Sequence, residues 1–296
     1  MSNNFTINHL QSQARGFPHA FTEHKPFAGL RSLRIGDTGL ATCTALLSWI
    51  SPCTLTEVSF VFNPPPSPAL LHQNLTILST TCSPSTLRSL QIHATINEDV
   101  PSVEDTHSRT INSTSLLPLL AFRRLEHVQL TTGCLIALDD PTLEKMAAAW
   151  PRLSHLDFGT SPETVNVTSV TLACLIPLAK LCPHLNHLSI ILHASSEAIE
   201  TGIEGTLPNP SLESLNLGRS TIVTPGSPLI ADFLFRLFPK LREFDVWNDF
   251  SDDSDDEAWA MCQAWGVVWN RYDELSGGRL RSYEYEMEFG DVATWI

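Results

Sequence analysis

Nine short segments of this chain share one spacing of apolar residues, and no other feature narrows its possible folds as far. They begin with FAGLRSLRI (27–35), PCTLTEVSF (52–60), PSTLRSLQI (84–92) and FRRLEHVQL (122–130). WPRLSHLDF (150–158), CPHLNHLSI (182–190), PNPSLESLNL (208–217) and FPKLREFDV (238–246) follow, and a weaker GGRLRSYEY (277–285) closes the series. Each holds an apolar residue, two variable ones, a second apolar residue, one variable and a third apolar residue. The leading positions are Leu30, Leu55, Leu87, Leu125, Leu153, Leu185, Leu212, Leu241 and Leu280. Successive leucines are unevenly spaced, closest between Leu30 and Leu55 and farthest between Leu241 and Leu280. Nine recurrences exceed chance for one degenerate hexamer, so an internal repeat takes precedence over any division into globular domains.

Side chains alternate faces along a strand, which places the second and third apolar residues of each unit on one face and the residue between them on the other. The stretches between units read as helices. Ser67 ahead of Pro68, Asp140 ahead of Pro141 and Ser227 ahead of Pro228 have the pattern of an N-cap followed by proline at the first helical position. TSVTLACLIPLAKLC (168–182) reads as a further helix, kinked or broken at Pro177. Several helices should stop just before Pro151, Pro183 and Pro239, with the next strand following at once.

Strand, loop, helix and turn, recurring at the period of these leucines, describe an α/β solenoid. One parallel sheet lines its concave face and helices cover its convex face. The expected division is a cap or irregular segment over 1–26 and a repeat domain over 27–296. That domain includes an acidic loop at 248–257 and a helix after it, ending at Gly277, that covers the open end of the stack. At least one of Trp259, Trp265 and Trp269 should pack over the last repeats. Longer insertions fall near 93–112, 191–209 and 248–257.

These repeats resemble the leucine-rich-repeat family over roughly residues 27–285. The irregular spacing and the W/F/C-P-x-L-x-x-L junction are similar to the repeat region of fungal F-box-type leucine-rich-repeat proteins. That resemblance implies a non-enzymatic protein-recognition module, the substrate-binding part of an F-box-like ubiquitin-ligase subunit. Docking on a Skp-type adaptor would require an F-box, and the stretch 1–26 ahead of the first unit does not read as one. The other expectation is a free-standing scaffold or inhibitor-like repeat protein with no link to ubiquitin.

Composition limits the partners. The net charge of -14 argues against a surface that tracks phosphates, since nucleic-acid binding rests on Lys and Arg. No apolar run reaches membrane-spanning length, and the first residues lack the pattern of a secretory leader. The seven cysteines, an odd number set mostly in apolar segments, read as free buried thiols, which fits the cytosol or nucleus. The chain matches no nucleotide-binding, zinc-protease or serine-hydrolase motif, and no cofactor is implied.

Cys174, Cys182, His184 and His187 crowd one stretch like a metal site, yet the repeat pattern puts Cys182 in a buried turn slot and Cys174 on a helix. Aligning the repeats gives His187 different companions. His127, His155 and His187 fill the same variable slot in three successive units, and strands about 4.8 Å apart would stack them as a column. The column admits three readings: a contact patch for an acidic or aromatic partner, a merely solvated face, or a metal site with three ligands. With Gln129, Asp157 and Ser189 in the adjoining slots, these histidines are the candidate partner-binding residues. In that second column, Asp157, Asp245 and Glu284 follow an N-terminal part without acids, so the face should become more acidic toward the C-terminus.

Overall fold

The computed structural model describes residues 4–8, 29–36, 47, 53–62, 65–94, 110–132, 134–159, 168–196, 199, 205–246 and 256–281. Strands form at each of the first eight hexamers: β2 (Ser32–Gly36), β3 (Glu57–Phe62), β4 (Ser89–Ala94) and β5 (His127–Thr131). They continue with β6 (His155–Asp157), β7 (His187–Ser189), β8 (Ser214–Gly218) and β9 (Glu243–Val246). A strand ahead of them, β1 (Asn4–Asn8), pairs with β2, so the sheet starts inside the segment expected to be an irregular cap. The nine strands form one sheet in chain order, and each neighbouring pair is parallel.

The repeat has a backbone signature. Within each unit, the residue after the leading leucine donates its N–H to the carbonyl of its equivalent one unit earlier. Thr56 bonds Arg31 at 2.7 Å, and Arg88, Glu126, Ser154 and Asn186 each bond their predecessor at 2.8 Å. Glu213 does so at 2.9 Å, and Arg242 and Arg281 at 2.8 Å. This chain of bonds links all nine hexamers and carries the ninth unit in register as far as Arg281. The rest of that hexamer, like Cys43, lies outside the described residues, as does all of the 248–257 acidic run except Asp256 and Glu257.

Helices return the chain from strand to strand: α1 (Pro68–Thr81), α2 (Asp140–Ala149), α3 (Leu175–Leu181), α4 (Ser227–Leu237) and α5 (Asp256–Ser276). Between β4 and β5 the same place is taken by one helical turn, Ser113–Leu116, and a 3-10 segment, Leu117–Ala121. Among the described residues, no helix is long and apolar enough to cross a membrane.

The turn from helix to strand explains its own sequence. Trp150, Cys182 and Phe238 are 0% exposed, and each closes the preceding helix by donating its N–H to the carbonyl four residues back. Their carbonyls then accept from Leu153, Leu185 and Leu241, three residues on. The proline between sits at the second turn position, where its fixed φ fits and its missing N–H costs nothing. The slot therefore takes a bulky or sulfur-bearing apolar residue and accommodates proline after it, although Arg123 follows Phe122 in the fourth unit.

Helix starts differ in detail from the expected caps. Ser67 caps α1 by accepting from Leu70 N at 3.4 Å. In α2 the cap is Asp139, whose Oδ1 accepts from Thr142 N at 2.9 Å, and not Asp140. Asp140 instead reaches the next unit, accepting from Thr171 N at 2.8 Å and Thr171 Oγ1 at 2.6 Å. Ser227 is the first residue of α4 and not its cap, because a 3-10 turn, Thr224–Gly226, leads directly into the helix. Pro177 causes no mid-helix break. A 3-10 turn over Leu172–Cys174 delays the α-helix, so the proline falls in its first turn, where its absent N–H has no partner to lose.

One continuous core joins the inward strand residues to the helices. Leu90, Val128, Leu156, Leu188 and Leu215 are 0% exposed, each contributing about 1.5–3 kcal/mol by burial. At the C-terminal end, α5 lies over the last described units. Trp265 is 1% exposed, meets Phe244 edge-on at 6.0 Å and donates to Ser220 O at 2.8 Å, whereas Trp259 is 50% exposed. The Tyr272 hydroxyl donates to Phe238 O and accepts from Leu241 N, fixing the helix to the last helix-to-strand turn. Gly277, at φ 74°, ends α5 in the left-handed region that glycine enters without a Cβ penalty.

Candidate functional site

Alternation along the strands divides the sheet into a buried face, packed on the helices, and an open face. On the open face the parallel register aligns two polar columns. The first runs Ser32, Glu57, Ser89, His127, His155, His187, Ser214, Glu243. The second runs Arg34, Ser59, Gln91, Gln129, Asp157, Ser189, Asn216, Asp245.

The three histidines do form a stack. His127 and His155 lie with ring centroids 4.1 Å apart and planes 10° from parallel, and His155 and His187 follow at 4.2 Å and 8°. In-register parallel strands impose this spacing, since each imidazole sits one strand from the next. All three rings are half-buried. Burial is the main influence that pushes all three pKa values down. His155 falls to about 4, through burial first and then repulsion from His127 and His187, with Asp157 opposing.

Polar neighbours hold the stack at its edges. Gln91 donates its amide to His127 Nε2 at 3.3 Å, which leaves the His127 proton on Nδ1. His187 Nδ1 pairs with Ser214 Oγ at 3.0 Å. His93, further along β4, pairs its Nδ1 with Thr131 Oγ1 at 2.5 Å. The stacked rings present parallel faces, so their nitrogens do not converge on a common point. Among the described residues, no three His, Cys, Asp or Glu side chains are placed to hold a metal ion.

The second column divides between architecture and surface. Asp157 accepts from Gln129 Nε2 at 3.0 Å with one oxygen and from Gly159 N at 2.8 Å with the other. Asn216 accepts from Gly218 N at 2.8 Å in the same way. Gly159 and Gly218 have φ of 73° and 49°, so D-x-G and N-x-G end their strands as side-chain-closed turns, a signal that the sequence itself carries. Asp157 is thus committed to the strand exit. Ser189 is 3% exposed, a short side chain sunk between its neighbours Asp157 and Asn216. The half-exposed groups that remain are His127, His155, His187 and Gln129.

The first column leaves the expected charge gradient in place, because its later acid, Glu243, lies at the C-terminal end with Asp245. Glu57 is exposed in the N-terminal part, one strand from the exposed Arg34. Together with Ser32, Ser59, Ser89 and Gln91 they line a shallow polar recess beside the imidazole stack.

The Cys182 neighbourhood provides no site. Cys182 donates to Ala147 O at 3.7 Å and Trp150 O at 3.6 Å, and burial pushes its pKa up to about 12. Cys174 is 0% exposed, and burial likewise raises its pKa. His184 lies on an exposed turn.

No protein-family model matches the chain, and a search of curated proteins found no relative.

Proposed function

We propose that the chain is a leucine-rich-repeat solenoid whose open sheet face recognises a protein partner, as the substrate-binding part of an F-box-like ubiquitin-ligase subunit. The observation that carries this reading is the column of three stacked, half-exposed imidazoles at one slot of successive units. The nine-unit hydrogen-bond chain supports the solenoid, because it requires every unit to repeat the same backbone step. A flat array of imidazole edges, with Gln129 beside it and a polar recess at its flank, offers hydrogen bonds and aromatic contact to a protein surface. The backbone N–H groups beneath the column are used in the sheet, leaving no cluster of free donors to stabilise an oxyanion. That favours binding over catalysis.

The test compares proteins captured from cells by the wild-type chain and by a triple His127→Ser, His155→Ser, His187→Ser variant. Serine already occupies the same column at Ser89 and Ser214, so the sheet should tolerate it. At least one protein should be retained by the wild type and reduced tenfold or more with the variant. Retention of a Skp-type adaptor by both chains would support the ligase role, and its absence from both would leave a free-standing scaffold. Identical sets of captured proteins would reject recognition through this face.

A further inference from the structure

Two cysteines in adjacent units stand apart from the other thiols. Cys82 is the residue that ends α1, in extended backbone, and Cys53 lies beside it just before β3. Their backbones form a parallel bridge in which Cys53 N donates to Thr81 O at 3.1 Å and Ser83 N donates to Cys53 O at 3.2 Å. That bridge holds the two residues at neighbouring-strand spacing of about 4.8 Å, inside the range that a disulfide spans. Their sulfurs are 2.9 Å apart, and both residues are 3% exposed. The pair lies away from the imidazole face, and neither the repeat pattern nor recognition through that face accounts for it.

We propose that Cys53 and Cys82 are an oxidisable pair that closes to a disulfide between successive units in the folded chain when peroxide is present. The hydrogen bond between the sulfurs lowers the pKa of Cys53 and raises that of Cys82, making Cys53 the attacking group. The Cys53 thiolate attacks one peroxide oxygen, the O–O bond breaks, and the departing hydroxide takes a proton to become water, leaving a sulfenic acid on Cys53. Cys82 then gives up its proton and attacks the Cys53 sulfur. The S–O bond breaks, and the hydroxide leaves as a second water. Two thiols and one hydrogen peroxide give one disulfide and two waters. Peroxide is small enough to reach a buried pair during local opening, whereas a bulky disulfide oxidant is disfavoured.

The backbone is already in place for the bond, so closing it costs the folded chain little movement. Joining residues 29 apart restricts the unfolded chain, and the oxidised protein should melt roughly 5–10 °C higher.

The experiment treats the folded full chain with hydrogen peroxide, blocks remaining thiols with a maleimide in denaturant, and maps the peptides by mass spectrometry. Cleavage after Trp49, Phe60 and Phe62 separates Cys43, Cys53 and Cys82 from one another. A peptide pair joined through Cys53 and Cys82 is expected, together with the rise in melting temperature and its reversal by a dithiol reductant. Cys53→Ser should abolish both and leave Cys82 open to maleimide. Full maleimide labelling of Cys53 and Cys82 under conditions that oxidise the more accessible Cys262 would overturn the proposal. Linkage of either residue to Cys43, or joining only after the chain is unfolded in urea, would overturn it too.

Discussion

Trp150→Ala is expected to destabilise the fold by about 3–5 kcal/mol, near the upper end for a core truncation. Trp150 is 0% exposed and fills the helix-to-strand turn of the fifth unit, with further units on either side. Its indole Nε1–H donates to Leu119 O at 3.3 Å, in the preceding unit's 3-10 segment. Its own carbonyl receives Leu153 N at 3.0 Å and Cys182 Sγ at 3.6 Å, in its own and the next unit. Alanine would leave a cavity and remove the indole bond to the Leu119 carbonyl, which keeps only its bond from Phe122 N. Trp150→Phe keeps most of the ring and should cost about 1–2 kcal/mol. Urea denaturation followed by circular dichroism measures both. The alanine variant should also broaden the transition, because a weakened unit in mid-stack uncouples the repeats on either side.

Acid should unfold the chain earlier than its carboxylates alone would require. An unfolded histidine titrates near 6.5, whereas His155 in the fold titrates near 4. Between those values the unfolded chain takes up a proton that the folded chain refuses, so stability falls as pH drops through this window and is unaffected above it. For His155 alone the loss is about 2–3 kcal/mol once its partial exposure is allowed for. His127 and His187 are shifted in the same direction and add to it. Asp157 opposes the shift in all three, Glu243 does so at His187, and His93 reinforces it at His127. Carboxylates act lower: Asp139, held down by its hydrogen bonds to Thr142, loses its contribution as pH falls from the usual carboxylate value through its own lowered one. Denaturation midpoints compared at pH 7 and pH 4.5 should therefore fall less for His155→Gln than for the wild type. Equal falls would remove the stacked column as the cause.

Much of the architecture was legible because a strand period of two and a fixed hexamer leave little freedom. Leu90, Val128, Leu156 and Leu188 face the core because they are the second apolar position of their units. The histidine stack was legible for the same reason: His127, His155 and His187 share a slot, and the register carries no shift across those three strands. The first strand, Asn4–Asn8, was missed because Phe5 and Ile7 alternate without a leading leucine. Asp139 and Asp140 are equivalent as sequence caps. Only the position of Thr171 in the next unit decides which one turns outward from its own helix.

The site was less legible than the fold because exposure on an open sheet face depends on the neighbours' side-chain lengths. Ser189 occupies a surface slot yet is 3% exposed, because it is shorter than Asp157 and Asn216 beside it. Asp157 looked available, but a glycine two residues on claims one oxygen and Gln129 the other. The close approach of Cys53 and Cys82 follows from a helix ending beside the start of the preceding unit, a contact that the uneven spacing of the units conceals.

The central claim is that successive units stack in register and bring three imidazoles face to face. Nuclear magnetic resonance titration of the histidine ring protons between pH 3.5 and 8 tests it most directly, with His155→Gln identifying the central ring. A His155 midpoint near 4, below those of His127 and His187, is the expected result. A His155 midpoint near the ordinary 6.5, titrating independently of its neighbours, would contradict the stack and the register behind it.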